Sequence, residues 1–514
     1  MTAASTDPDA SLTQNPGPAA RNDWARRWLS RAWIPALLGL LALLERAYSI
    51  QISGGFTSSY LNPDEGTYFG SSHALLNGLV PYRDFLLLHP PGSSIAYAPA
   101  AAMSGLVGEP NSFGLARLLV IFIGAANTIL VCHVASRVGK TAAISAGLMY
   151  ALWFPALRVE RTTLLEPLVN LALLGSLAML NPKQLTSRRL VLAGAILGLG
   201  MSVKLWAVFP IAVLCIWLLV AHGRRKAAWY MAGAAGGFAV VMLPFFIAAP
   251  SQMLRMVVFD QAGRSGSGVS TIERLSTMVF AGGAPGNADA GPAFLWILIA
   301  IAAVLVAWKL STARPWVALL VVIAGLLLAT PTFFVNYTAF LAVPLALVAG
   351  SAAQLAAGVL TKLKPALMRP AAACAIVVGI AALLILGSPA FDTAGSPFPV
   401  NGATNAVARA QCLTSDSTTA IILTGSFAEN VDGGCPIVVD MTGYVYETRG
   451  LPTSRARNPE WQAYALRYLH QGDYVIIMTA NRDGFTDEAL QDIARRPVVF
   501  KERYVTIYGP LPSL

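Results

Sequence analysis

Asp64, Glu65, Arg83, Asp84 and His89 fall within one stretch near the start of the chain, NPDEGTYFGSSHALLNGLVPYRDFLLLHPPG (62–92). Only 12% of the residues are charged, so the cluster stands out. Two adjacent carboxylates beside a membrane can take a proton from an incoming hydroxyl. They can also hold a divalent cation through oxygen. The plainer reading is a solvated helix start, since Pro63–Asp64–Glu65 has the make-up of a first helical turn. A second polar group follows in RVERTTLLEP, with Arg158, Glu160, Arg161 and Glu166. Here Arg161 and Glu166 either pair or snorkel to the interface, or Glu166 lines a cavity with an arginine that faces a phosphate. An unpaired charge drawn into lipid costs several kcal/mol. Lys204, alone in GLGMSVKLWAVFP, either snorkels or binds phosphate as a point charge. Arg117 is an interface anchor or a phosphate contact. Asp260, Gln261 and Arg264 lie in a Gly- and Ser-rich stretch, 250–291, that reads as a solvated loop, or else as a lid or an acceptor contact.

The elements that must position these groups are membrane helices. The chain is 55% hydrophobic over 514 residues, with mean hydropathy +0.59. Apolar runs of about 20 residues match a hydrocarbon core about 30 Å thick. The net charge of +10 is spread as short basic clusters between those runs, which is the positive-inside pattern rather than a nucleic-acid groove. Eleven spans satisfy that pattern: 33–51, 116–136, 141–157, 165–181, 190–203, 205–221, 228–248, 292–308, 316–332, 337–358 and 370–388. Residues 1–32 form a cytoplasmic segment, disordered at its start. Residues 33–388 form the membrane domain, with an external first loop at 52–115. Within that loop, Ser93–Val107 is apolar but proline-bearing, and reads as an interfacial helix. Counting it as a span would invert every later loop.

Residues 389–514 read as a small extracytoplasmic α/β domain. The runs at 419–423, 436–440, 474–478 and 505–508 have strand character. Glu460–His470 and Asp487–Ala494 have helical character. Asp440, at the end of one β-branched run, reads as structural. Cys412 and Cys435 are a disulfide candidate if this region lies outside the cytoplasm. The chain carries no P-loop, dinucleotide fingerprint, zinc spacing or Gly-x-Ser-x-Gly elbow, which lowers nucleotide-driven transport and serine hydrolysis.

The order Asp64–Glu65, Gly78, Pro81–Tyr82–Arg83–Asp84–Phe85, His89–Pro90–Pro91–Gly92 resembles the first external loop of the GT-C glycosyltransferases. More narrowly it is similar to the protein mannosyltransferase and lipid A aminoarabinose transferase group. The motif order extends over about 60–345. The resemblance implies a polytopic enzyme that moves a sugar from a polyprenyl-phosphate donor to an extracytoplasmic acceptor, which is a cell-envelope glycan, a lipid or a protein. It implies Asp64 as the base and Glu65 as the second acid. It places Arg83, His89, Arg117, Arg158, Arg161, Glu166, Lys204 and Tyr337 as donor or substrate contacts. Asn336–Tyr337 stands where the family often has His-Tyr, which weakens a proton or phosphate role there. Asp64, Glu65 and Glu166 are candidate ligands for a divalent cation, and no cofactor is required by the residues. Direct displacement would invert the anomeric centre. The expected location is the inner membrane, with the N-terminus cytoplasmic. The rival readings are a transporter or lipid flippase, marked by mid-depth charges and inverted repeats, and a non-catalytic envelope scaffold.

Overall fold

The computed structural model describes residues 18–264, 268–280, 290–363, 379, 396–448, 451–452, 454–478 and 484–511. The helices that matter below are α1 (Pro18–Ile52), α2 (Asp64–Leu76), α3 (Gly92–Ala101), α4 (Glu109–Ala135), α5 (Lys140–Leu152), α6 (Glu166–Met179), α7 (Ser187–Met201), α8 (Val208–His222), α9 (Arg224–Ala248), α10 (Ala290–Ala307), α11 (Arg314–Ala329) and α12 (Ala342–Leu363). Among the described residues, five helical stretches are long and apolar enough to cross a bilayer: Trp33–Ile52, Glu109–Ala135, Leu205–His222, Arg224–Ala248 and Val335–Val359. Glu166–Met179, Ile297–Ala307 and Arg314–Ala329 are shorter apolar helices. The chain is a helical membrane protein. The eleventh expected span, 370–388, lies outside the described residues apart from position 379, as do residues 1–17. Helix α1 starts at Pro18, earlier than the apolar run alone suggests.

Large apolar side chains such as Leu40, Leu44, Val220 and Ile247 point outward, as lipid-facing helices require. Inside the bundle, helix contact depends on small residues and on polar pairs. Gly194 and Gly198 of α7 face Gly233 and Gly237 of α9, and a Cβ on any of the four would collide with the opposite backbone. This is the small-xxx-small contact that lets membrane helices approach closely. Arg46 of α1 is fully buried and paired with buried Glu160 at 2.7 Å. Tyr150 and Asn127 donate to the same carboxylate. Glu160 therefore ties α1, α4 and α5 together.

The C-terminal region holds a four-stranded sheet of β3 (Leu413–Ser415), β4 (Tyr474–Met478), β5 (Val498–Glu502) and β6 (Val505–Tyr508), in the order β3-β4-β6-β5. β3 runs parallel to β4, and the other pairs are antiparallel. Helices α14 (Pro459–Gln471) and α15 (Asp487–Ile493) accompany it. Two strand expectations fail. TAIIL lies in helix α13 (Thr418–Leu423), whose Ala420–Leu423 are buried on all sides. Such a short, uniformly apolar run has no period that separates helix from strand. PIVVD forms no strand and no ladder. Its carbonyls are taken by side chains: Thr67 donates to Val439, and Thr418 to Val438 and Val439.

This region is bonded to the first loop. β1 (Ser59–Tyr60) pairs with β2 (Ser396–Pro397). The amide of Gly66 donates to Thr419 Oγ1 at 2.9 Å, and Tyr60 Oη meets Ser417 Oγ at 3.0 Å. Gly66 packs so closely on Thr419 that any side chain there would overlap its backbone.

Candidate active site

Adjacent residues on a helix point about 100° apart, and this separates Asp64 from Glu65. Both open α2, after Asn62 has accepted the Asp64 amide at 2.9 Å. The Asp64 carboxylate faces a polar cavity of about 330 Å³ and makes no hydrogen bond among the described residues. Glu65 turns inward. Its two oxygens take Nε and Nη2 of Arg117 at 3.0 and 2.8 Å, and Oε1 also accepts the Thr163 amide. Both members of the pair are fully buried. The remaining guanidinium donors of Arg117 go to the carbonyls of Phe56 and Ser59. Glu65 and Arg117 are therefore a brace behind the cavity, not part of its wall.

Asp64 is joined on the wall by Tyr68, His89, Glu166, Lys204, Arg264, Asn336, Tyr337, Asp440, Thr442, Tyr446 and Arg455. Lys204 donates to Glu166 at 2.6 Å and sits over the rings of Tyr337 (4.1 Å) and Trp206 (4.7 Å). Arg264 donates to Tyr337 Oη at 3.3 Å and lies over Tyr446 at 4.5 Å. Two cations thus flank one tyrosine. Gly92 fixes the entrance of α3 by donating to Ser202 O at 2.8 Å, which holds the His89–Gly92 turn beside Lys204.

The PYRDF motif supports this turn. Tyr82 adopts φ +71°, its amide donates to Phe85 O, and its hydroxyl donates to the carbonyl of His89 at 2.8 Å. Arg83 does not reach the cavity. It is exposed and paired with Asp84 at 2.7 Å. Arg158 and Arg161 line a separate pocket of about 210 Å³ that shares Asn62, Phe334 and Asn336 with the main cavity. Arg161 donates to Ser49 Oγ of α1. A third chamber, about 380 Å³, shares Leu88, His89, Lys204 and Tyr337 with the wall of the cavity. Its further walls are mostly apolar, with Leu205, Trp206, Phe209, Val257, Val258 and Leu326.

The electrostatics favour a base at Asp64. Burial, then the like charge of Asp440, pushes its carboxyl up to about 6, against the pull of Arg264. Burial, with Arg264 and Lys204 nearby, holds His89 well below the usual imidazole range, so it is neutral at physiological pH. The acids named for a cation do not form a ligand set. Arg117 neutralises Glu65 and Lys204 neutralises Glu166. No three of His, Cys, Asp or Glu gather in a metal-binding cluster among the described residues.

Sequence reasoning left out Thr442, Tyr446 and Arg455 of the C-terminal region, and it read Asp440 as structural. It read Arg264 as part of a solvated loop, with a lid or an acceptor contact as the alternative. Thr442, Tyr446 and Arg455 carried no local signal beyond their chemical type. Cys412 and Cys435 form a disulfide with a Cα–Cα distance of 5.6 Å.

The chain is similar to known proteins in part of its sequence and in its fold. The model of glycosyltransferase family 87 fits residues 87–331, which include His89, Arg117, Glu166, Lys204 and Arg264. The structure of ArnT from Cupriavidus metallidurans bound to undecaprenyl phosphate superposes with a TM-score of 0.58, at 17% identity, over 93% of this chain and 98% of that one. The chain has the GT-C fold. The archaeal oligosaccharyltransferase AglB from Archaeoglobus fulgidus, in complex with an inhibitory peptide and a dolichol-phosphate, superposes with a TM-score of 0.56 at 11% identity, over 88% of this chain and 70% of that one. A comparison with curated protein sequences gives no match. The likeness of the first loop to GT-C polyprenyl-phosphate-sugar glycosyltransferases therefore extends to the fold and, over the matched segment, to a glycosyltransferase family.

Proposed function

We propose that this GT-C protein transfers a sugar from a polyprenyl-phosphate donor to a hydroxyl of an extracytoplasmic acceptor, with inversion. The observation that carries the proposal is an unbonded carboxylate, Asp64, in a polar cavity that shares Lys204 and Tyr337 of its wall with a neighbouring, mostly apolar chamber. The polyprenyl chain would occupy the apolar chamber. Its phosphate would lie between Lys204 and Arg264, and the sugar would lie before Asp64. The acceptor oxygen attacks the anomeric carbon while Asp64 takes its proton. The bond from that carbon to the phosphate oxygen breaks, and the polyprenyl phosphate leaves with the bonding electrons. Charge grows on the phosphate as the bond breaks, so fixed cations there lower the barrier. ArnT with undecaprenyl phosphate and AglB with a dolichol-phosphate support a lipid-phosphate donor on this fold.

The Cys412–Cys435 disulfide belongs to an oxidising compartment, which supports an extracytoplasmic C-terminal region; with the eleven spans read from the sequence, the N-terminus is then cytoplasmic. The cavity takes residues from both the first loop and the C-terminal region, so it would work on that outer side. The acceptor is a cell-envelope glycan, a lipid or a protein.

The test is transfer from a panel of polyprenyl-phosphate sugars by purified protein, wild type beside Asp64→Asn. Loss of a general base lowers the rate by roughly 10²–10⁴. Undiminished transfer by a folded Asp64→Asn protein would remove Asp64 as the base. Absence of both donor binding and transfer in the wild type would remove the glycosyltransferase reading.

A further inference from the structure

We propose that Asp440, carried by the C-terminal region, reads a hydroxyl of the donor sugar and so sets which sugar is transferred. This inference rests on the glycosyl-transfer reading above. Asp440 lines the same cavity as Asp64. Its Oδ1 accepts Thr442 Oγ1 at 3.0 Å and the Gly443 amide at 2.8 Å. Its Oδ2 has no hydrogen-bond partner among the described residues. The carboxylate is thus held by one oxygen and offers the other. An ionised carboxylate only accepts hydrogen bonds, so the matching ligand group is an O–H donor, and a sugar presents several.

The placement is built rather than incidental. The two residues ahead of Asp440 are pinned by Thr67 of α2 and Thr418 of α13 through the carbonyls of Val438 and Val439. Behind it, Gly443 lies so close to the Asp440 carboxyl that a Cβ there would come within 2.5 Å of Oδ2. Thr67 belongs to the same helix that presents Asp64. The base and the acceptor oxygen of Asp440 are therefore fixed relative to each other through α2. A base needs a free carboxylate near the attacking hydroxyl, and Asp64 supplies it. Asp440, tethered on the opposite segment, is suited to orientation and choice.

Hydrogen bonds from a neutral O–H to a charged acceptor make roughly a 10- to 100-fold difference in a binding or rate constant. The experiment compares the best donor of the panel with its monodeoxy analogues, in wild type and Asp440→Ala, using kcat/KM. It also measures binding of undecaprenyl phosphate without a sugar. The expected result is one analogue transferred roughly 10- to 100-fold less well by the wild type. Asp440→Ala would lose a similar factor on the parent donor and show no further loss on that analogue. Binding of the sugar-free lipid phosphate would be unchanged, which separates a sugar contact from a folding defect. Discrimination that survives in Asp440→Ala would overturn the inference. So would parallel loss of sugar-free lipid-phosphate binding. A wild type that neither binds that lipid nor transfers sugar would instead overturn the glycosyl-transfer reading, and the assignment of Asp440 with it.

Discussion

Glu65→Gln is the substitution that separates a brace from a catalyst. In the native chain the Arg117 guanidinium spends two of its bonds on Glu65 and two on the carbonyls of Phe56 and Ser59, with its face over the Phe113 ring at 4.2 Å. Both charged groups are fully buried. Glutamine keeps the shape and removes the countercharge, so a bare cation remains in a dry interior. Breaking such a pair from one side costs about 3–5 kcal/mol. That corresponds to roughly two to four decades in the folded–unfolded ratio. The assay is denaturant unfolding of the purified protein in detergent, run beside Arg117→Met and the double variant Glu65→Met/Arg117→Met. The double variant is expected to regain much of the loss, because it leaves no unpaired charge. A Glu65→Gln protein as stable as wild type but without transfer activity would refute the brace and return Glu65 to the chemistry.

Three further outcomes follow from the same geometry. Asp64 must be ionised to accept a proton, and its pKa is raised to about 6, so kcat/KM should fall tenfold per unit below about pH 6 and level off above it. Because Asp440 is the second cause of that shift, Asp440→Asn should move the limb to lower pH, and a wild-type limb near 4 would contradict the account. Lys204→Met should weaken binding of undecaprenyl phosphate about tenfold or more in a direct binding assay, and unchanged binding would place the phosphate elsewhere. Gly66→Ala forces a methyl onto the Thr419 backbone, at a cost of about 1–3 kcal/mol. Protease sensitivity of the C-terminal region should rise in that variant, and an unchanged digestion pattern would show that the contact yields.

The membrane class was legible from hydropathy, because lipid demands long apolar runs and leaves basic residues between them. The first loop was legible as a motif, and five residues expected at the site (Asp64, His89, Glu166, Lys204 and Tyr337) meet in one cavity. Other expected residues do not line that cavity. Asp64 and Glu65 are sequence neighbours, and neighbours on a helix do not share a face. Arg117 was an arginine at a helix mouth whose partner lay far back in the chain. Arg83 belonged to a turn motif in which Tyr82 holds the His89 carbonyl, and it pairs with Asp84 outside the cavity. Asp440 was visible as an acid after a β-branched run but was read as structural, since its place in the cavity depends on contacts from Thr67 and on distant segments. The strand at 474–478 was readable from β-branching. The helix at 418–423 was not, because burial on every side erases periodicity.

The bond between the first loop and the C-terminal region has a consequence for biogenesis. Asp64 is translated early and inserted early, while Asp440 and Arg455 leave the ribosome near the end. On the glycosyl-transfer reading, until that last portion has crossed the membrane, formed the Cys412–Cys435 disulfide and docked on α2, the proposed base at Asp64 faces an open chamber. An assembling chain would therefore carry its proton acceptor without the wall that orients a sugar. Competence would appear late and all at once, and a stalled chain would sit in the bilayer as a lipid-binding bundle that does not squander activated sugar on water.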